Sequence, residues 1–239
     1  MDSSIPHDVS ELPPMRADVD LYQQPGGADF SALLRAVQED EARPLRGRLR
    51  RLSTLQRQLF ATALVTVTGL AVALYMGLRT DFVEHGPRLA VSFSAMVGLT
   101  FLSVRMSLRD LAAAPPGWRA WSLGAVGLAA LLSMPLLSTW LPGQALALGP
   151  FWTLRCFRFT LLIGGVAVAA MLTLQRPGLS APWRALNAGV AGALISAFFL
   201  MLHCDVVDAP HLWSGHTMPG VLVVAVALLA GAVVRRLRR

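Results

Sequence analysis

Long apolar runs fenced by arginine constrain this chain more than any other feature of its sequence. They lie at about 59–78, 89–104, 121–141, 157–174, 185–202 and 220–234. A helix that crosses a bilayer needs roughly 17–25 residues. The second and sixth runs fall short, and reach that length when Arg88 and Arg105, or Arg235 and Arg236, snorkel their charges to the interface. Lipid offers no partner for backbone N–H and C=O groups, so each run must be helical. With 54% of 239 residues hydrophobic and only 15% charged, the chain carries more apolar surface than one soluble core of this size can hide. The expected fold is all-α: a polytopic membrane protein with six transmembrane helices and an N-terminal helical arm.

Arginine placement predicts the orientation. Arg43, Arg46, Arg48, Arg50, Arg51 and Arg57 precede the first run. Arg105, Arg109 and Arg119 flank the second connection, Arg176 and Arg184 the fourth, and Arg235, Arg236, Arg238 and Arg239 end the chain. The other side has only Arg79, Arg88, Arg155 and Arg158. The positive-inside rule then puts both termini in the cytoplasm. Trp118, Trp121, Trp140, Trp152, Trp183 and Trp213 all fall near span ends, where amphipathic rings prefer to sit. The formal net charge of +7 is explained by this flanking pattern, not by a compact patch for nucleic acid. No cleavable leader is expected, because the first apolar run begins near Leu59. Gly164, Gly165, Gly189, Gly192, Ala225, Ala227 and Gly231 permit close helix approach, which reads as bundle packing before it reads as a transport path.

Residues 1–28 carry Pro6, Pro13, Pro14, Pro25 and the Gly26–Gly27 pair, the composition of a flexible tail. A helical arm is expected over 29–58. Asp29 is a suitable N-cap, and Phe30, Leu33, Leu34 and Val37 repeat at i, i+3, i+4 and i+7 on one helical face. After Pro44, a second helix aligns Leu45, Leu49, Leu52 and Leu59 opposite an arginine-rich face, and is expected to run straight into the first span. Its basic face suits the membrane surface. The first helix ends in Glu39 and Asp40, which anionic lipid repels, so its apolar stripe suits a protein partner.

The chain has two cysteines and no CxxC, which excludes zinc ribbons, thioredoxin motifs and c-type haem attachment. Cys156 opens the fourth run and Cys204 follows the fifth, so both are expected at one depth on the outer side. A disulfide or redox switch is the favoured reading of the pair. Arg155 and Arg158 beside Cys156 favour its thiolate, and Asp205 or Asp208 is the expected counter-charge for Arg158. His203, Asp205, Asp208, His211 and His216 share the segment around Cys204. That set also suits a soft transition metal, but its spacing matches no tight zinc pattern. Solvated loop residues are the favoured reading of the histidines, and no cofactor is assigned.

Cys-Phe-Arg-Phe (Cys156 to Phe159), His-Cys-Asp (His203 to Asp205), then Trp213 and His216 stand in an order and at depths that resemble the NrsF-type membrane anti-sigma factors. A CarR-type light-response anti-sigma factor is similar in layout. The resemblance spans about residues 57–239. It implies a bacterial inner-membrane protein, not an enzyme, whose cytoplasmic arm sequesters an extracytoplasmic-function sigma factor without contacting nucleic acid. It also implies that Cys156 and Cys204 are the signal-sensing pair, with His203 sharing the motif. The arm is longer than that pattern and lacks a His-x3-Cys-x2-Cys signature, so sigma contacts would fall to plain helices: Phe30, Leu33, Leu34 and Val37, joined by Leu45, Leu49 and Leu52. A membrane thiol/disulfide oxidoreductase or a small transporter are the competing classes. The first has only one cysteine pair to work with, and the second lacks charge at mid-span.

Overall fold

The computed structural model describes residues 52–79, 82–109, 117–140, 150–175, 181–206 and 208–236. Of the expected arm contacts, Phe30, Leu33, Leu34, Val37, Leu45 and Leu49 lie outside the described residues. The chain is all-α. Its elements are α1 (Thr54–Met76), α2 (Phe82–Ser107), α3 (Gly117–Leu132), a 3-10 turn (Met134–Leu136), α4 (Leu137–Trp140), α5 (Pro150–Leu174), α6 (Pro182–Met201), α7 (Ala209–His211), a π-turn (Leu212–Thr217) and α8 (Met218–Arg236). Among the described residues, five helices are long and apolar enough to cross a membrane: Thr54–Met76, Gly86–Ser107, Thr153–Leu174, Pro182–Met201 and Ala209–Arg236.

Two expectations are revised. The first span does not continue unbroken from the segment before it. Leu52 sits in a bend and Ser53 is extended, at φ −60° and ψ 162°. Ser53 caps α1 with its side chain on the Gln56 N–H, and Gln56 returns the bond to the Ser53 N–H, a capping box that starts the helix afresh. The third apolar run is not one uniform helix either: α3 stops at Leu132 and the chain tightens before α4. Pro135 is the cause. It has no N–H for the Leu131 carbonyl one turn back, and its ring crowds that oxygen. The Thr217 hydroxyl donates to the Leu131 carbonyl instead, at 3.5 Å.

The packing is that of helices solvated by lipid. Val67, Leu74, Phe101, Val126, Leu162, Val226 and Leu229 point outward, while small and polar residues face inward. α6 is the central helix, buried along nearly its whole length and touching α1, α2, α3, α5 and α8. Without a hydrophobic drive between helices in lipid, close van der Waals fit must hold them. Leu186 and Val190 of α6 accordingly fill the spaces at Gly124 and Gly127 of α3, and Phe199 fills the one at Gly69 of α1. Gly164, Gly189, Gly192, Gly231 and Ala227 sit at helix crossings as expected. Gly165 and Ala225 do not; they face outward.

Contacts between helix ends fix which ends share a side. At one end, Arg57 Nη1 donates to the Leu174 carbonyl at 3.2 Å, Gln175 Nε2 to Ser107 Oγ at 3.0 Å, and Arg184 Nη2 to the Arg109 carbonyl. Arg57 and Arg184 are buried, so these arginines satisfy carbonyls left over at helix and turn ends as well as carrying charge. Asn187 Nδ2 donates to the Ala120 carbonyl at 3.0 Å, which places the start of α3 near the start of α6. The opposite end gathers residues 77–79, the C-terminus of α6 and the segment before α7, and there the cysteines lie.

Candidate functional site

Cys156, Cys204, His211 and His216 form one buried cluster. Their sulfur and ring-nitrogen atoms all lie within 4.8 Å of one another. Both cysteines are free thiols. Cys204 Sγ stands 3.2 Å from His211 Nε2. The histidines are not the solvated loop residues that the sequence suggested: His211 and His216 are 4% and 0% exposed.

The backbone that carries them explains the difference. Residues five apart on an α-helix of 3.6 residues per turn point about 140° away from each other. Between Leu212 and Thr217 the helix widens to a π-turn, with the Met218 N–H bonded to the Trp213 carbonyl. This brings His211 and His216 together, with ring centroids 5.3 Å apart. Pro219 favours the distortion, since it has no N–H for the Gly215 carbonyl. The Thr160 hydroxyl lies 3.1 Å from that carbonyl oxygen and 3.0 Å from the Cys156 carbonyl, as a shared donor. It thereby ties the turn of α5 that carries Cys156 to the π-turn that carries His216. Pro135 with Thr217, and Pro219 with Thr160, are the same device: a proline frees a carbonyl and a threonine on another element serves it.

The Cys204 segment is held from behind. Arg79, 5% exposed, donates through Nη1 to the Cys204 carbonyl at 3.1 Å and reaches the Met201 carbonyl at 3.5 Å. Its backbone N–H donates to the Leu202 carbonyl at 3.0 Å. Gly77 permits the crossing: its φ of +86° suits a residue without a Cβ, and its carbonyl accepts from His203 Nδ1 at 2.7 Å. His203 therefore braces the loop and is not one of the four clustered residues. Around the cluster, Thr153 Oγ1 lies 3.4 Å from His211 Nδ1, and Asp208 Oδ2 accepts from the His211 backbone N–H at 3.2 Å. Asp208 thus caps a helix. Arg158 is exposed, and among the described residues no ion pair joins it to Asp205 or Asp208. The Cys204 thiol is held above its ordinary pKa, first by its hydrogen bond with Cys156 and then by burial.

Arg79→Gln is expected to loosen this segment without unfolding the helices. Loss of one charge-assisted hydrogen bond corresponds to about 1.5 kcal/mol, so a polar maleimide should modify Cys204 about tenfold faster than in the parent. An unchanged rate would mean that Arg79 does not hold the loop.

Comparison with protein-family models, with curated proteins and with solved structures gave no match to this chain.

Proposed function

We propose that this is a membrane-bound anti-sigma factor. Its N-terminal arm sequesters an extracytoplasmic-function sigma factor and releases it when a signal acts on the cysteine–histidine cluster. In this reading the broken helix of α3 and α4 crosses the bilayer as a sixth span, and both termini face the bacterial cytoplasm. Support for the sixth crossing comes from Ala120 beside Asn187, near the start of α6, and Leu131 beside Thr217, at the start of α8; the two helices run antiparallel, so these contacts are displaced along the bundle. The arginine asymmetry of the connections supports the orientation.

One observation carries the functional reading. The motif residues Cys156, Cys204 and His216 converge in a buried cluster at the end of the bundle opposite Ser53 and Arg57, where the arm's segment enters α1. We read this separation of the cluster from the start of α1 as the layout of a transmembrane switch. The amphipathic stripe at Phe30, Leu33, Leu34 and Val37 supplies the docking face.

Full-length protein, expressed with the sigma factor encoded nearest to its gene, is expected to retain that factor through purification. The triple change Leu33→Asp, Leu34→Asp and Val37→Asp should abolish retention, because three charges on one helical face forfeit several kcal/mol of apolar burial. Cys156→Ser with Cys204→Ser should leave retention intact and remove the response to oxidant or metal. Retention that survives the aspartates would refute the docking face, and a normal response without the cysteines would remove them from signalling.

A further inference from the structure

We infer that Cys156, Cys204, His211 and His216 are the four ligands of a site for a zinc-type cation, a borderline-soft divalent ion without geometric preference of its own. The inference stands on the geometry of the cluster and does not depend on sigma-factor binding by the arm.

Donor type and placement come first. Two thiolates and two imidazoles are the ligand set of closed tetrahedral zinc sites, in which neighbouring donor atoms stand about 3.3–3.8 Å apart. Here one such pair, Cys204 Sγ and His211 Nε2, is at 3.2 Å, and all four donors fall within 4.8 Å of one another. Small side-chain rotations bring the remaining donors inward. The four come from three separate pieces of chain: α5, the segment after α6, and the π-turned helix. A cage assembled from distant parts of the chain, with no water-facing member, is a closed site with no position left for substrate.

His216 supplies an independent observation. It is 0% exposed, yet neither ring nitrogen has a hydrogen-bond partner among the described residues. A buried imidazole left this way is costly, and a metal ion in the cluster gives one nitrogen the partner it lacks. His211 is arranged as ligating histidines usually are, with Nε2 toward the cluster and Nδ1 on the Thr153 hydroxyl, which orients the ring.

Charge favours the same ion. On binding, the Cys156 and Cys204 thiols each release a proton to solvent and form a sulfur–metal bond, while the histidines ligate as neutral rings. A divalent cation with two thiolates and two neutral imidazoles has no net charge, which suits a buried site. A monovalent copper ion in the same cage would leave a net negative charge, and it is satisfied by the two thiolates alone.

Full-length protein, purified in detergent, reduced and kept free of oxygen, should be titrated with Co2+ and then Zn2+. The expected result is one cobalt per chain, with thiolate-to-cobalt charge transfer and the intense ligand-field bands of tetrahedral coordination, all lost on adding zinc. Cys156→Ser and Cys204→Ser should each weaken binding about 100-fold or more and reduce the charge-transfer band. His216→Gln should weaken it similarly with that band retained. One equivalent of zinc should also block alkylation of both thiols in the unmodified protein, a reading that needs no variant to fold. A pale octahedral cobalt spectrum, thiols that zinc leaves open to alkylation, or full binding by the double serine variant would each overturn the assignment. So would copper(I) displacing zinc with an affinity that His211→Gln and His216→Gln leave unaltered.

Discussion

Gly192→Leu is expected to destroy the folded bundle, while Gly165→Leu is expected to leave it intact. A Cβ at Gly192 would stand 2.8 Å from the Gly164 carbonyl oxygen, 3.1 Å from Val168 Cγ2 and 3.3 Å from Val223 Cγ1. The first of these is backbone, which no rotamer change can move aside. Leucine at this position must separate α5 from α6, and α6 is the helix against which all the other long helices pack. Overpacking of a tight interior commonly costs about 1–3 kcal/mol, and a backbone clash at the central helix should exceed the top of that range. In lipid the loss is not offset by hydrophobic repacking, since separated helices meet a solvent as apolar as themselves. At Gly165 nothing lies within 4 Å of the added carbon, and the position faces outward, so leucine there simply replaces lipid contact. The check is the yield and thermal midpoint of the two purified variants beside the parent. Equal stability of the two would show that α5 and α6 are not in close contact at Gly164 and Gly192.

The adjacent pair Gly164 and Gly165 also marks the limit of what the sequence could disclose. Small residues in apolar runs announce that helices approach closely; they do not announce which side of the helix does so, because in lipid both sides are apolar and the periodic signal is weak. The existence of the long helices was legible, since length, hydropathy and arginine punctuation act locally. The kink at Pro135 was legible in principle from proline alone, but the apolar run masked it. The cluster was half legible. Cys156 and Cys204 fall at one depth by counting spans, so their proximity follows from topology. His211 and His216 were hidden, because spacing rules assume either an α-helix or a loop, and five-residue spacing on an α-helix points two side chains apart. Pro219, four residues after Gly215, was the available sign that this turn could not be regular. The buried roles of Arg57, Arg79 and Arg184 were concealed by the positive-inside pattern, which accounts for an arginine at a helix end without asking which carbonyls it serves.

That hidden register gives the second large expected effect: one alanine inserted after Met218 should dismantle the cluster, while deleting Ser214 should leave its two histidines together. A π-turn holds one residue more than the α-turn it replaces, so removing a residue from Leu212–Thr217 allows ordinary α-helical geometry to close. The helix from Met218 onward keeps its packing against α5 and α6 through Val223, Val224 and Ala227. His211 and His216, five residues apart in the π-turn, become four apart on an α-helix, about 40° from each other and on one face. An extra residue inside the regular helix has no such remedy: everything before it turns by about 100° relative to Val223, Val224 and Ala227, the rotation of one residue at 3.6 per turn. Ser214 is suited to removal: it is partly exposed, and its hydroxyl donates only to the Pro210 carbonyl, at 2.6 Å. Cobalt affinity of the Ser214 deletion is expected to stay within about tenfold of the parent, the low end of a disturbed outer shell, and zinc should still protect both thiols from alkylation. Helical content and thermal midpoint should change much less than in Gly192→Leu. The alanine insertion after Met218 should displace α8 from its neighbours and unfold the protein, which separates a change of register in the π-turn from a change of length in the helix. Loss of cobalt binding after the Ser214 deletion, in protein that stays folded, would mean that the π-turn is not one residue inserted into a regular helix.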